Sequence, residues 1–175
     1  MAKTSLLDCR ILSELLKNSK ISDREMARKF DVSQPTITRR RSRLEKTLIK
    51  GYTILPDMKE MGFEIMALTF ISGRREVLTR GKFEGAQKKA REWHSKHPNV
   101  VYSGAGQGMG WNGLVVSLHK NYSDYVKFKA EHDNEFAEYL AGTQSFIIEV
   151  DPDTALKPFS LSYLADLGAI APESS

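Results

Sequence analysis

The chain has 175 residues, of which 41% are hydrophobic, so it is long enough to bury a core and is not typical of a disordered protein. Its single cysteine, Cys9, excludes an intrachain disulfide and fits a reducing compartment. The charge is uneven: residues 1–60 carry 14 Lys and Arg against 8 Asp and Glu, whereas residues 61–175 carry 12 against 14. A basic segment joined to a mildly acidic one is typical of a nucleic-acid-binding module attached to a module with another role.

No apolar run approaches the roughly 20 residues of a membrane span, and the polar N-terminus MAKTSLLD has no signal-peptide features. We therefore expect a soluble, cytoplasmic protein with no membrane partner. The four histidines have no carboxylate or thiol at metal-ligand spacing. We expect solvated or capping roles for His94 and His97, isolated positions for His119 and His132, no metal site and no cofactor.

The first third of the chain predicts three helices. The first follows a Thr4 or Ser5 cap and carries apolar residues at helical spacing. The second begins with a capping box, because Ser22 and Glu25 have the S-x-x-E spacing. It ends near Phe30, since Asp31 tolerates a left-handed turn. Two short helices joined by such a turn form a helix-turn-helix.

The third predicted helix starts at a second cap, Ser33, with Pro35 in its first turn. It carries four arginines within five residues, and such density is not needed for folding. A charge run on a helix is usually a solvated face. Here the capped turn before it, the small polar residues at its start and the absence of acidic residues before Glu45 favour contact with double-stranded DNA. The predicted DNA-binding residues are Ser33, Gln34, Thr36, Thr38, Arg39, Arg40 and Arg43.

Arg41 differs from the other arginines of this helix, because its spacing places it toward the buried face. Its stem is expected to run along apolar surface to a partner, so that replacement by leucine stabilises the fold.

The rest of the chain predicts a second domain. Residues 48–55 predict a short wing or strand that completes a winged helix-turn-helix domain at residues 1–55, and residues 56–62 a linker. Residues 63–150 then predict strands and helices in the order βαββαβ, at 65–71, 83–96, 100–103, 111–118, 123–141 and 145–150. This order matches the ferredoxin-like motif, a four-stranded antiparallel sheet with both helices on one face, in an α+β protein. Because the other face is apolar, we expect it to meet a second copy of the chain, in a homodimer or larger assembly.

The stretch GAGQGMG at residues 104–110 predicts a turn between two strands. Residues 108–113 formally spell G-x-G-x-x-G, but the strand-like LVVSL that follows argues against a dinucleotide fingerprint, which must open a helix. The alternative to a plain hairpin turn is a contribution to a small-ligand site between subunits. The candidate effector-binding residues are Gly104, Gly106, Gly108 and Gly110.

The last segment, residues 151–175, is predicted to begin as an extended crossing segment and then to form a short amphipathic helix from Ser160 to Gly168. Its large apolar residues are too many for a solvated tail. It either covers the edge of its own domain or packs on a neighbouring subunit.

Several short motifs resemble those of one family of regulators. They are Leu7-Asp8 with Ile11-Leu12, the run from Asn18 to Ala27, Arg43-Leu44-Glu45 and Gly51-Tyr52. Together they resemble the Lrp/AsnC (leucine-responsive/asparagine-type) transcription regulators over about residues 4–70. Beyond that the resemblance holds in the βαββαβ order, which matches the effector-binding and oligomerisation domain of that family. It implies a sequence-specific DNA-binding regulator that responds to a small molecule such as an amino acid.

The sequence also departs from the family pattern. Asp31 stands where a turn glycine is usual, Arg41 replaces an apolar residue, and residues 151–175 extend past the usual end. Two alternatives stay open. One is a sirohaem-decarboxylase-like enzyme on the same fold, disfavoured by the four arginines and by the lack of a histidine in the glycine hairpin. The other is a ligand-binding co-regulator without specific DNA contacts.

Overall fold

The computed structural model describes residues 5–77 and 80–166, and for residues 80–82 the backbone alone. It divides into two compact units. The first joins the N-terminal segment up to Leu55 with the C-terminal segment from Pro158, and the second runs from Pro56 to Lys157. The first break lies at the start of the predicted linker, while the predicted domain division itself stays a prediction.

Three helices form the first unit: α1 (Leu6–Lys17), α2 (Asp23–Phe30) and α3 (Gln34–Thr47). Each contributes apolar residues to one core, because their spacing places them on a single stripe of each helix. The buried members of this core are Ile11, Leu12, Leu15, Met26, Ala27, Phe30, Ile37 and Leu44. The helix-turn-helix is therefore fixed by a core that all three helices share.

The helix ends follow the predicted capping chemistry. Ser22 caps α2 in a complete capping box, in which its amide donates to Glu25 Oε2 at 2.9 Å. Asp31 ends α2 with φ 54° and ψ 51°, which confirms the left-handed turn. An aspartate tolerates this conformation better than most side chains because its carboxylate is short and polar. Ser5 caps α1 in a second capping box, with Asp8 as its acidic member.

The prediction of a strand at residues 48–55 is wrong. This segment is irregular, and Tyr52, Ile54 and Leu55 are exposed. No sheet partner is available to it, because the strands of the described chain all belong to the second unit. Tyr52 instead lies against α3, where its hydroxyl donates to Glu45 Oε1 at 2.8 Å.

The second unit confirms the βαββαβ order. Its elements are β1 (Ile65–Gly73), α4 (Arg80–Ser95), β2 (Val100–Gly108), β3 (Trp111–His119), α5 (Tyr122–Glu135) and β4 (Leu140–Glu149). The strands form one antiparallel sheet in the order β2-β3-β1-β4. This is the ferredoxin-like arrangement.

Several predicted boundaries in this unit move. α5 is capped by Asn121, whose side chain accepts from the Asp124 amide, and the predicted helix to residue 141 stops at Glu135. β4 consequently starts at Leu140, and Gly142 lies within the strand. β2 continues to Gly108, so the turn of the glycine-rich hairpin contains only two residues.

The two faces of the sheet differ in their cover. The face carrying Ala67, Thr69, Val115 and Ser117 is buried against the helices. The register places a second set of mostly apolar side chains on the opposite face. Its members include Met66, Leu68, Phe70, Tyr102, Val116, Phe146 and Ile148. Of these, Phe146 is 64% exposed and Tyr102 56% exposed. We call this set the bare sheet face.

The C-terminal segment returns to the first unit. A 3₁₀ helix over Leu161–Asp166 packs on α1. Ser13 Oγ donates to the carbonyl oxygen of Ala165 at 3.1 Å, and Lys17 Nζ lies 2.7 Å from Asp166 Oδ1. The segment was predicted to cover its own domain's edge or a neighbouring subunit, but its observed partner is the first helix of the chain. The predicted end of that helix, Gly168, lies outside the described residues.

Within the described ranges, no helix is both long and apolar enough to cross a membrane.

Candidate nucleic-acid interface

The two faces of α3 carry different residues. Ile37 and Leu44 point into the core and are 0% and 3% exposed. Because an α-helix turns by about 100° per residue, Arg39 lies roughly 200° around the axis from Ile37, on the outer face. Arg40 and Arg41 flank the buried stripe on either side. The arginines of this helix therefore face different surroundings.

Arg40 and Arg43 both reach one buried carboxylate. Arg40 Nη1 donates to Asp8 Oδ1 at 3.1 Å and to Ser5 Oγ at 2.6 Å. Arg43 Nη2 donates to the other oxygen, Asp8 Oδ2. The Asp8 side chain is fully buried, while those of Arg40 and Arg43 are 28% and 47% exposed. Both arginines thus tie α3 to the start of α1, a role that the sequence analysis missed.

The electrostatics of Asp8 follow from these contacts. Burial alone would raise the pKa of the Asp8 carboxyl, but hydrogen bonds from the Ser5 hydroxyl and amide and from the two arginines outweigh it and lower the pKa to about 2. Asp8 is therefore ionised at neutral pH. A buried carboxylate of this kind is stable only while its cationic partners stay in place.

Arg41 lies in the flanking position that its spacing predicts, and its contacts argue against the expectation that leucine would stabilise the fold there. Its guanidinium donates to Asp23 Oδ1, to Glu45 Oε1 and to the carbonyl oxygen of Ile21, at 3.1–3.2 Å. It also lies 5.6 Å from the centre of the Tyr52 ring. Leucine can replace none of these polar contacts.

The start of α3 presents small polar side chains. Gln34 is exposed, and the Ser33 and Thr36 hydroxyls are 2.8 Å apart. Ser33 makes no side-chain capping bond, so its predicted capping role is fulfilled by its backbone conformation alone. Thr38 Oγ1 donates to Asp23 Oδ2 at 2.7 Å, which orients this hydroxyl toward α2.

Arg39 is exposed and, among the residues that the structure describes, its guanidinium has no hydrogen bond or ion pair. The acidic residues near α3 are already engaged by its other arginines. Arg39 and Gln34 thus lie on the outer surface with their polar groups available, whereas Arg40 and Arg43 are held by Asp8.

Sequence reasoning missed Asp8 because it lies 32 and 35 residues before its partners. The available signal was Ser5 three residues ahead of it, which predicts a capping-box acid in the first turn of α1. That signal accounts for its helix cap but not for the arginines.

The four candidate effector glycines lie in the second unit. Gly104, Gly106 and Gly108 belong to β2, and Gly110 follows Met109 in the turn. Both turn residues have positive φ, 49° at Met109 and 81° at Gly110, as a tight hairpin requires. Strand β3 follows at once, so the G-x-G-x-x-G spacing opens no helix.

The histidine predictions are partly wrong. His119 and His132 are 0% and 2% exposed, and His132 stacks on His94 with ring centres 6.2 Å apart. His94 is not solvated either: its Nε2 atom is buried. His97 does act as a helix-end residue, because its Nδ1 lies 2.7 Å from the carbonyl oxygen of Trp93. Aromatic neighbours from α4 and α5 create this burial. In the described part of the chain, no three His, Cys, Asp or Glu side chains are grouped as metal ligands would be.

Known proteins resemble this chain in both units. The family model of the AsnC-type helix-turn-helix domain matches residues 6–45. An uncharacterized HTH-type transcriptional regulator of Pyrococcus furiosus, PF1734, is 30% identical over 123 residues, which cover 70% of this chain and 76% of that protein. The HTH-type transcriptional regulator LrpC of Bacillus subtilis is 37% identical over 67 residues, or 38% of this chain and 46% of LrpC.

The fold extends the likeness to nearly the whole chain. The crystal structure of the transcriptional regulator NMB0573 of Neisseria meningitidis, in complex with L-Met, superposes with a TM-score of 0.71 at 17% identity, covering 91% of this chain and 98% of that one. The sequence matches carry the family assignment, and the superposition carries the fold. The chain belongs to the Lrp/AsnC family of DNA-binding transcription regulators.

Proposed function

We propose that this protein is a cytoplasmic, homo-oligomeric regulator that binds a specific duplex DNA sequence through the outer face of α3, with Arg39 and Gln34 as its leading contacts. The observation that carries the proposal is that the four arginines of α3 differ in their contacts. Asp8 and Asp23 hold three of them, and Arg39 keeps its charge on the outer surface. A long, exposed guanidinium beside small polar residues suits phosphate oxygens and guanine edges.

Arg43 belongs to the proposed surface in a secondary role. Its side chain is 47% exposed although one of its nitrogens is bound to Asp8. The guanidinium has five N–H donors, so a second edge is able to meet a phosphate while the first stays paired. Arg40 is 28% exposed and is bound to both Ser5 and Asp8, so less of its guanidinium is accessible to a phosphate. We therefore rank Arg39 first, Arg43 second and Arg40 third among the proposed contacts. The hydroxyls of Ser33 and Thr36 complete the surface, and Thr38 contributes indirectly.

The bare sheet face supports the proposed oligomerisation. A one-layer sheet with helices on one side leaves its other apolar face in water unless a partner covers it. Phe146 and Ile148 on β4 are 64% and 40% exposed, and Tyr102 on β2 extends the same patch. A second copy of the chain supplies a matching apolar face under twofold symmetry. Symmetric dimers place two α3 helices on two half-sites of the DNA.

We also infer that the regulator responds to a small molecule such as an amino acid. The support is the NMB0573 structure, which was solved as an L-Met complex on the same fold. The glycine hairpin is the candidate contributor, because its Gly106, Gly108 and Gly110 have open space where a side chain would stand. Regulators rather than enzymes are the relatives that this chain matches, and we propose no catalytic role.

The deciding experiment compares Arg39→Gln with Arg75→Gln, which removes the same charge from an exposed position in the second unit. A duplex recovered by selection from a random library serves as the probe, and binding is titrated at several salt concentrations. Arg39→Gln should reduce the slope of log K against log salt by about one, as expected for one lost phosphate contact, or relax the base preference at one position. Arg75→Gln should match the unmodified protein.

If no duplex is enriched, or if Arg39→Gln and Arg75→Gln behave alike on an enriched duplex, the proposed surface is wrong. The double variant Arg40→Ala, Arg43→Ala is unsuitable for this purpose, because it also strips a buried carboxylate of its partners and weakens the domain.

A further inference from the structure

The second unit contains a solvent-accessible cavity of about 620 Å³ between α4 and the β2–β3 half of the sheet. This volume lies within the range of small-molecule sites in proteins. The helix wall is a stripe at helical spacing, formed by Phe83, Ala86, Ala90 and His94. The opposite wall is formed by residues of β2 and β3.

Small side chains on both walls create the cavity. Ala86 and Ala90 face it from the helix, and Ala105 and Gly113 face it from the strands. A methyl group on Gly113 would lie 3.4 Å from the carbonyl oxygen of Gly104 and 3.6 Å from Ile71 Cβ, so the backbone of this wall is closely packed. The space is therefore a product of side-chain size and not of a loose sheet.

His94 places an unused polar group at this cavity. Its Nε2 atom is buried and, among the described residues, has no hydrogen-bond partner. Burial, together with the neighbouring His132 and His97, lowers the pKa of His94 to about 4, so the ring is neutral at physiological pH. A buried polar nitrogen without a partner costs free energy, which a ligand able to accept its hydrogen bond would recover.

The remaining described lining combines aromatic, aliphatic and neutral polar side chains, and Arg91 is the one lysine or arginine among them. Phe83, Phe136 and Tyr139 are among its aromatic side chains, and Arg91, an exposed residue of α4, also lines the cavity. No Asp or Glu is among the described residues that line the cavity. An ammonium group entering it would find no carboxylate, whereas a carboxylate would find Arg91 and, with His94 in the tautomer protonated at Nε2, the His94 N–H.

We propose that this cavity is a binding site, within a single subunit, for a small aromatic carboxylate that lacks an ammonium group. The ring packs among Phe83 and Phe136, and the carboxylate accepts from His94 Nε2 and Arg91. This site borders the start of the glycine-rich stretch, since Gly104 and Ala105 line it, but the turn end of the hairpin at Gly106, Gly108 and Gly110 does not. The inference stands independently of the amino-acid effector, since the chemistry of the cavity selects against a zwitterion.

The test is calorimetric titration of the full chain at pH 7 with phenylacetate and indole-3-acetate, and with phenylalanine as the zwitterionic counterpart. We expect one aromatic carboxylate per chain and at least about tenfold weaker binding of phenylalanine at this site, because no carboxylate among the described lining residues would balance the charge of a buried ammonium. Absence of binding of both carboxylates at millimolar concentration would overturn the proposal.

Variants of α4 locate the site. Ala86→Phe fills the cavity from its helix wall and should weaken phenylacetate binding at least about tenfold, while thermal unfolding reports whether the variant stays folded. Lys88→Phe puts the same side chain at an exposed position of the same helix and should leave binding unchanged. Unchanged binding in Ala86→Phe would place the ligand elsewhere and refute the assignment.

A spectroscopic readout covers the case in which Ala86→Phe fails to fold. The histidine ring signals of the unmodified protein are recorded by NMR during the titration and assigned with His94→Gln. Saturable shifts of the His94 ring signals with phenylacetate support the site. Binding that leaves those signals in place contradicts it.

Discussion

Asp8→Asn tests the claim that a buried carboxylate holds α3 on α1. The substitution keeps the shape of the side chain but removes the charge that Arg40 and Arg43 share. It also weakens the acidic half of the α1 capping box, in which the Ser5 amide donates to Asp8 Oδ2 at 2.8 Å. The first unit should consequently lose stability while the second is unaffected.

The expected size follows from the pKa. Lowering the pKa of Asp8 from 3.8 to about 2 means that ionisation stabilises the folded unit by about 2 kcal/mol. Loss of the capping contact adds about 1 kcal/mol. The half-exposed Arg43 regains water when unpaired, which keeps the total below the 3–5 kcal/mol or so that is typical of breaking a fully buried pair. We therefore expect Asp8→Asn to destabilise the first unit by about 2–3 kcal/mol at pH 7.

The pH dependence provides the sharper measurement. Because the folded pKa is depressed, the contribution of ionised Asp8 is complete above its unfolded pKa near 4 and is lost as the pH falls through about 2. The stability gap between the unmodified protein and Asp8→Asn should hence narrow between pH 5 and pH 2. Asp153→Asn, at an exposed position, is the matched control. Its stability should equal that of the unmodified protein at every pH.

Urea unfolding separates the two units by their signals. Both tryptophans, Trp93 and Trp111, lie in the second unit, so tryptophan fluorescence follows that unit alone. Far-ultraviolet circular dichroism follows the helices of both. The transition seen by circular dichroism without a fluorescence change belongs to the first unit. A stability difference between the unmodified protein and Asp8→Asn that is below about 0.5 kcal/mol at pH 7, or that stays constant down to pH 2, would refute the claim that Asp8 holds α3 on α1.

Three further outcomes are expected. Arg41→Leu should destabilise the first unit by about 1–2 kcal/mol in urea unfolding, because Asp23 and Glu45 lose their shared partner; equal or higher stability than that of Arg39→Leu would contradict this. A chain ending at Lys157 should expose the α1 surface under the 3₁₀ helix and lower the urea midpoint of the first unit alone, as measured by circular dichroism and tryptophan fluorescence. An unchanged circular dichroism transition would mean that the segment adds no stability. Phe146→Asp should dissociate the oligomer in sedimentation experiments, whereas Val126→Asp, on the exposed side of α5, should keep its mass, and equal masses for both would remove the bare sheet face as the interface.

Sequence patterns correctly predicted the features that depend on residues close together in the chain. The Ser22–Glu25 capping box, the left-handed Asp31 and the alternation of the strands depend on residues a few positions apart, and all three are present. The strand predicted at residues 48–55 failed for the complementary reason. Its composition suits a strand, but a strand also needs a partner, and periodicity carries no information about partners.

The sequence could not predict which arginines of α3 are held by acidic residues, because those residues are distant in the chain. The run of arginines correctly marked α3 as the basic helix, yet its members differ in what they contact across the core. Arg40 is bound to Asp8 and Arg41 to Asp23, 32 and 18 residues earlier in the chain, while Arg39 contacts none of the described acidic residues. The buried pair of His94 and His132 went unnoticed for the same reason, because it forms only when α4 and α5 lie side by side.

The return of the C-terminal segment to α1 has a consequence for biosynthesis. The first unit is discontinuous in sequence, and Ala165, which accepts a hydrogen bond from Ser13, is translated some 150 residues after Ser13. The helix-turn-helix core is able to form early from local contacts, and the sheet unit forms next from its own strands. The 3₁₀ helix docks only after Leu161–Asp166 has been synthesised, so a nascent chain or one that terminates before this segment presents a bare α1 surface.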